Sequence, residues 1–274
     1  MTRQKVNRVI LFALAVLISC IFIFPIVWII LSSFKEGNEI FAWPPTFFPT
    51  HFSLANYAGA FERGNFLVYF KNSGIVTILS TALAAVINFM AGYGFAKYDF
   101  KGRNVIFLIF ISTIMLPLEV LMIPIFQTVK LFGLYNTLAG VIIPPAATPT
   151  GIFLVRQFFL SVPDELMEAS RIDGASELQI MGRVMVPIAR PIISVLVIFN
   201  FMWRWNDYMW PLIVIRSPQL YTVQLALKTF AGEYSVDWNG LLAMSVITMI
   251  PMLVIFLIFQ KQFIQGIATS GLKE

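Results

Sequence analysis

Glu165-Leu-Met-Glu-Ala-Ser-Arg-Ile-Asp-Gly-Ala-Ser176 is a polar island in an apolar chain. With its flanking residues it gathers five of the fourteen acidic side chains (Asp164, Glu165, Glu168, Asp173 and Glu177) in a 274-residue sequence that is 58% hydrophobic and only 12% charged. A mean hydropathy of +0.82 and 27 phenylalanines leave far too much apolar surface for a water-soluble domain, so the solvent around most of the chain is lipid. The island marks where the chain leaves that lipid.

A bilayer core of about 30 Å takes roughly 20 apolar residues in a helix. Working outward from the island, six spans are predicted, at 9–34, 72–96, 104–127, 137–156, 187–212 and 238–260. The first, second and sixth are free of charge. The fourth carries Pro144, Pro145, Pro149 and Gly151 and is expected to be short and irregular, while the third and fifth contain Glu119 and Arg204. The expected fold is an all-α membrane protein, with residues 1–274 forming a single transmembrane domain.

Cytoplasmic loops hold the excess of Lys and Arg. With the N-terminus inside, twelve of the nineteen basic residues fall on the inner side, and the tight Lys97-Tyr-Asp-Phe-Lys-Gly-Arg103 connection is the strongest indicator. Both termini are therefore expected in the cytoplasm, along with the acidic island. The net charge of +5 reflects this orientation and gives no reason to invoke nucleic acid. Arg3, Lys5 and Arg8 before an apolar run suggest a signal peptide, but the run continues well past Cys20, too long for one. Single Cys20 and His51 offer neither an internal disulfide nor metal-ligand spacing.

The segment 161–186 reads as helix, glycine, helix. Ser161 with Asp164 gives a capping-box spacing, and Pro163 suits a first turn. Gly174 is a natural left-handed stop, and Ser176 with Gln179 starts a second helix. Leu166, Met167, Ala169, Ile172 and Ala175 among the acids suit contact with a basic, partly apolar groove on another protein. A merely solvated loop would not need them.

Glu168 to Pro191, EASRIDGASELQIMGRVMVPIARP, resembles the EAA signature of permease subunits of binding-protein-dependent ABC importers. Ser170 stands for an alanine of that pattern, Val186 for a leucine, and Met181 for a common aromatic. Trp205 to Leu212 (WNDYMWPL), the TVQLAL stretch and the C-terminal tail are similar to the carbohydrate-type subfamily, in particular the maltose-type second permease with six spans. The resemblance implies an ABC type I importer permease fold and a cytoplasmic coupling helix formed by Glu168, Ala169, Ser170, Asp173, Gly174 and Ala175, with Pro187 beyond it. It also implies a heterodimer with a second permease, two cytoplasmic ATPases, an extracytoplasmic substrate-binding protein, and a place in a bacterial or archaeal cytoplasmic membrane. ATP and Mg²⁺ then belong to the ATPases and no cofactor to this chain. The sequence accords with this division: it has no Gly-Lys pair, hence no phosphate loop of the usual kind.

Ionisable groups within spans are costly and are functional candidates by default. A straight third span puts Glu119 roughly 22 Å above Asn104, at about 1.5 Å per residue, and Arg204 lies similarly far along the fifth. Both, with Asp207, are expected at an outer gate; snorkelling to the interface is the alternative. Asn200, Trp203, Asn206 and Tyr208 add amides and rings suited to sugars, though Trp and Tyr also serve as interfacial belts. Gln219, Tyr221, Gln224, Glu233 and Tyr234 lie where the family reaches toward its binding protein, and the external segment 35–71, dense in Pro and aromatics, reads as a compact irregular loop. A stand-alone secondary transporter is the competing class, supported only by Glu119 and Arg204. An intramembrane enzyme lacks any paired nucleophile and base.

Overall fold

The structure is a computed structural model that describes residues 3–232 and 236–271. Helices dominate, and the described residues contain no strand beyond an isolated bridge between Ala231 and Val236. The chain divides into two compact units, one built from the residues up to Leu67 with Ala226–Pro251, the other from Val68–Leu225 and the chain from Met252 on.

In the first unit, α1 (Arg3–Ser32) is apolar on all sides, and α2 (Ala55–Arg63) follows an aromatic-rich loop. The second unit is organised by α3 (Phe66–Lys97), followed by α4 (Arg103–Ser112), α5 (Leu118–Leu131), α6 (Leu138–Ile142) and α7 (Pro149–Leu160). Beyond these come α8 (Glu165–Ile172), α9 (Glu177–Gln179), α10 (Val186–Ile188), α11 (Arg190–Trp205), α12 (Met209–Val214) and α13 (Val223–Leu227). The last helix, α14, is Trp238–Gly271.

Among the described residues four stretches are long and apolar enough to cross a membrane: Asn7–Ser32, Phe66–Lys97, Leu138–Leu160 and Trp238–Gln260. Two bent pairs bring the number to six if each is one span: Arg103–Met115 with Leu118–Leu131, bent by 112°, and Glu177–Ile188 with Arg190–Trp205, bent by 78°. The straight third span predicted over 104–127 is therefore not formed. Pro117 supplies no N–H and holds Leu116 extended (φ −85°, ψ 124°), so the helix stops and restarts in a new direction. The predicted 187–212 span is likewise interrupted, at Ala189 and again at Asn206–Tyr208.

The fourth span is irregular, as its prolines imply. Its break between α6 and α7 is repaired from α3: Asn88 accepts from Thr148 N at 2.9 Å and donates to Thr148 Oγ1 at 3.0 Å. Thr148 Oγ1 in turn accepts from Gly151 N at the start of α7. In lipid a broken helix survives only if its freed polar groups find such partners. Gly92 lets α3 approach α7 closely, since a Cβ there would lie 2.5 Å from Val155 Cβ and 2.8 Å from Ile152 O. Around this contact Phe89, Tyr93, Val155, Phe159, Met167, Ile180, Met185 and Leu196 form a buried core that reaches from α3 to the acidic island.

Candidate functional site

The acidic island folds as the short helix α8, a left-handed turn and the helix α9, which continues through a π-helical stretch, Ile180–Met185, into α10. Gly174 stands at φ +81°. Ala175 N donates to Ser170 O and Gly174 N to Arg171 O, both at 3.0 Å, which is the paired closure that a glycine after a helix end permits. Ser176 Oγ accepts from Gln179 N while the Gln179 side chain accepts from Ser176 N, so the second capping box is present. The first is not. Ser161 Oγ donates to Phe158 O, closing α7, and Asp164 makes no side-chain cap to α8. Its carboxylate is taken by a lysine instead.

That lysine is Lys97, the last residue of α3. Its ammonium donates to Asp164 Oδ1 and to Val162 O, each at 2.5 Å. The next residue, Tyr98, donates through its hydroxyl to Glu177 Oε2 at 2.5 Å, and Arg171 Nε donates to Glu177 Oε1 at 2.7 Å. Lys97 and Tyr98 thus hold the island before α8 and after it. The Arg171 guanidinium, then the Tyr98 hydroxyl, keeps the Glu177 carboxyl below the usual carboxylate range. Burial and the nearby carboxylate push the Tyr98 hydroxyl well up, so it stays protonated and donating. From the inner side of α8, Met167 enters the core and accepts from Tyr93 Oη through its sulfur at 3.6 Å.

The other face of the island is free. Glu165, Leu166, Glu168, Ala169, Ile172, Asp173 and Gly174 are exposed, with Leu178 beside them, and Ile172 is 86% exposed. Ser170 is half-buried and donates to Leu166 O; Ala175 packs against the core; Pro187 is exposed. The result is a rigid, acid-and-aliphatic knob fixed to the end of a long helix.

The description "binding-protein-dependent transport system inner membrane component" names the family that matches residues 84–269, the stretch containing α8 and both residues that hold it. The chain belongs to that family. It is 37% identical over 259 residues to the arabinooligosaccharides transport system permease protein AraQ of Halalkalibacterium halodurans, covering 93% of each chain. It is 30% identical to the sn-glycerol-3-phosphate transport system permease protein UgpE of Escherichia coli, over 91% of this chain and 92% of that one. Its fold matches a chain in the crystal structure of a bacterial ABC transporter involved in the import of the acidic polysaccharide alginate, at a TM-score of 0.85 and 23% identity, covering 95% and 98% of the two chains. The protein is thus a multi-pass, all-α ABC importer permease, with four unbroken candidate spans and two bent helix pairs among the described residues.

In this permease Glu119 stands apart from the other two residues expected at a gate. Glu119 is exposed in the first turn of α5, with no ion pair or hydrogen bond among the described residues, and the bend at Pro117 removes the height calculated for it on a straight helix. Arg204 and Asp207 pair instead, Nη1 to Oδ2 at 3.0 Å, and Asp207 Oδ1 also accepts from Trp210 N at 3.2 Å. The pair bridges the gap between α11 and α12. Asn200 spends its amide on Leu196 O, whereas Asn206 donates to Met202 O and accepts from Gln224 Nε2. Trp203 is exposed, and Tyr208 packs in the apolar cluster around Val76, Trp210 and Val214.

At the other end of α3, Asn72 donates to Gln219 O and Tyr221 O, and Ser73 Oγ accepts from Val223 N. Asn72 and Lys97 are about 38 Å apart along the helix at about 1.5 Å per residue, so the 219–224 segment and the acidic island occupy opposite ends of the unit. Gln219 is exposed and Tyr221 and Gln224 are half-buried; Glu233 and Tyr234 lie outside the described residues. What sequence reading missed is the pair Lys97 and Tyr98. The KYDFKGR stretch carried a charge signal that was read only for orientation.

Proposed function

We propose that this permease is one membrane half of an ATP-driven importer of a sugar or oligosaccharide, and that its acidic island docks in a cleft of a cytoplasmic ATPase. The observation that carries the reading is the combination of an exposed acid-and-aliphatic face on α8 with a fixed inner side held by Lys97, Tyr98 and Met167. A knob so held transmits displacement rather than absorbing it, the requirement for converting ATPase closure into rocking of spans. In this reading Glu168 faces a basic group of the ATPase, and ATP and Mg²⁺ reside there. Both termini and the island are cytoplasmic, a second permease completes the pathway, and Gln219, Tyr221 and Gln224 stand on the side open to a substrate-binding protein.

The arabinooligosaccharide relative supports the sugar assignment. The glycerol-phosphate relative supports a phosphorylated polyol as the second reading. Retention of radiolabelled arabinooligosaccharides or glycerol phosphate by the cognate binding protein separates the two. Docking is tested by co-purification: Glu168→Lys is expected to lose the ATPase while leaving the second permease bound, whereas retention of the ATPase removes the docking role. Uptake by this chain alone in vesicles would replace the whole reading with a stand-alone transporter.

A further inference from the structure

The loop between α1 and α2 packs back along the helix that precedes it. Phe47 lies 5.9 Å, ring to ring, from both Phe24 and Trp28 of α1. Phe24 is eight residues before Ser32, so the loop reaches about 12 Å back from the helix end at about 1.5 Å per residue. The apolar stretch Asn7–Ser32 is about 39 Å long and exceeds a hydrocarbon core of about 30 Å by about 9 Å. Even if all that excess projects beyond the Ser32 end, Phe24 lies about 3 Å inside the core and Phe47, equidistant from Phe24 and Trp28, lies at its boundary, and tilting the helix deepens both.

Backbone at that depth must satisfy its own polar groups. Pro44, Pro45 and Pro49 have no N–H to satisfy. Glu39 accepts from Thr50 N at 2.8 Å and from the hydroxyls of Thr46 and Thr50. Lys35, only 1% exposed, donates to Thr46 O at 2.5 Å and lies 4.5 Å over the Trp28 ring. Lys35 is turned inward while the rings stand outside: Trp43 is 90% exposed, and Phe41, Phe48 and Phe52 are exposed beside it. Such a cluster of exposed rings suits the acyl boundary, where aromatic side chains concentrate.

We propose that residues 36–54 form a lipid-embedded anchor, with Trp43, Phe48 and neighbouring rings seated among phospholipid chains in the leaflet at the Ser32 end of α1. The surface is continuous with the exposed apolar face of α1 itself, where Phe22 and Phe24 are also exposed. Its occupant is phospholipid, and the buried Lys35, bonded to Thr46 O, serves as an internal polar seal.

The test places single cysteines at Trp43 and Phe48 in a Cys20→Ala background, labels them with an environment-sensitive dye, and reconstitutes the assembled transporter in phosphatidylcholine and phosphatidylglycerol vesicles. Glu62→Cys on α2 provides the comparison. Lipids bearing a nitroxide at the upper acyl chain are expected to quench the dye at 43 and 48 at least twofold more than at 62, with little quenching by aqueous iodide. Iodide quenching equal to that at 62 overturns the proposal. So does resistance to both quenchers together with crosslinking of position 43 to another subunit, which would assign the surface to a protein partner. Trp43→Cys guards against disturbance at 48, where Phe48 also touches Phe47.

Discussion

Lys97 Nζ lies 2.5 Å from Asp164 Oδ1, joining the last residue of the longest helix in its unit to the residue that opens the acidic island. The partners are unequal: the lysine side chain is 3% exposed and the aspartate 74%. Hydrogen bonds to charged groups contribute about 1.5–3 kcal/mol, less where water screens one side. Lys97→Met removes the donor of both Asp164 and Val162 O, whereas Asp164→Asn leaves Lys97 its carbonyl and an amide oxygen. Lys97→Met is expected to lower thermal stability more than Asp164→Asn does and to raise ATP turnover per solute moved. Parallel transport and ATPase measurements in vesicles check this; equal behaviour of the two variants would mean the contact holds nothing in place.

On the far side of α8, Glu177 gives the island an acid limit. Its folded-state pKa is lowered, first by Arg171 and then by Tyr98, so the stabilisation is present above the ordinary carboxylate value of about 4.5 and lost as pH falls through the lower folded value. Hydrogen exchange at residues 173–180 should therefore be flat from neutral pH to about 5, after correction for intrinsic rates, and accelerate below it. Glu177→Gln should be faster throughout and lack the acid step.

Much of this was legible from residue chemistry. Gly174, the Ser176–Gln179 box and the charge-free runs are local signals, set by φ, by short hydrogen bonds and by hydropathy, so they can be read without knowing what packs where. The bend at Leu116–Pro117 carried a signal as well, but hydropathy continued across it and outweighed the proline. Lys97, Tyr98, Asp164 and Glu177 were each visible, yet their pairing spans 67 and 79 residues of sequence and exists only because α7 returns the chain to the end of α3. Asp164 had a plausible local role as a cap partner, and the tertiary ion pair displaced it. For Arg204 the pairing is local: its partner, Asp207, is three residues off, and the pair closes a helix break.

Two glycines separate turn geometry from packing. At Gly174 a Cβ would meet nothing within 4 Å, so Gly174→Ala incurs only left-handed backbone strain, about 1–2 kcal/mol, and Gly174→Asn less. At Gly92 the backbone is ordinary helix, but the added carbon collides with Val155 and with Ile152 O. Gly92→Ala is expected to reduce the yield of folded permease severely, while Gly174→Asn purifies normally with only modest loss of transport. Size-exclusion profiles and melting temperatures in detergent check the order; the reverse order would contradict the close approach of α3 and α7.

Arg204 and Asp207 allow the bracing and gating readings to be told apart. Both side chains are mostly buried, at 15% and 16% exposure, and Asp207 also accepts from Trp210 N. Removing one charge from such a pair costs about 3–5 kcal/mol, because the other is left buried and uncompensated, whereas replacing both with neutral groups of similar volume is often close to neutral. Asp207→Ala and Arg204→Met are each expected to destabilise the permease by that order. The double variant Arg204→Met with Asp207→Asn removes both charges and keeps an oxygen for Trp210 N, so it should recover most of the melting temperature. If the pair is a brace across the α11–α12 break, the double variant also recovers transport. If it is a gate, stability returns and transport does not, because the solute then meets a pathway without its charges. Measured together, melting temperature and uptake assign the pair to one role.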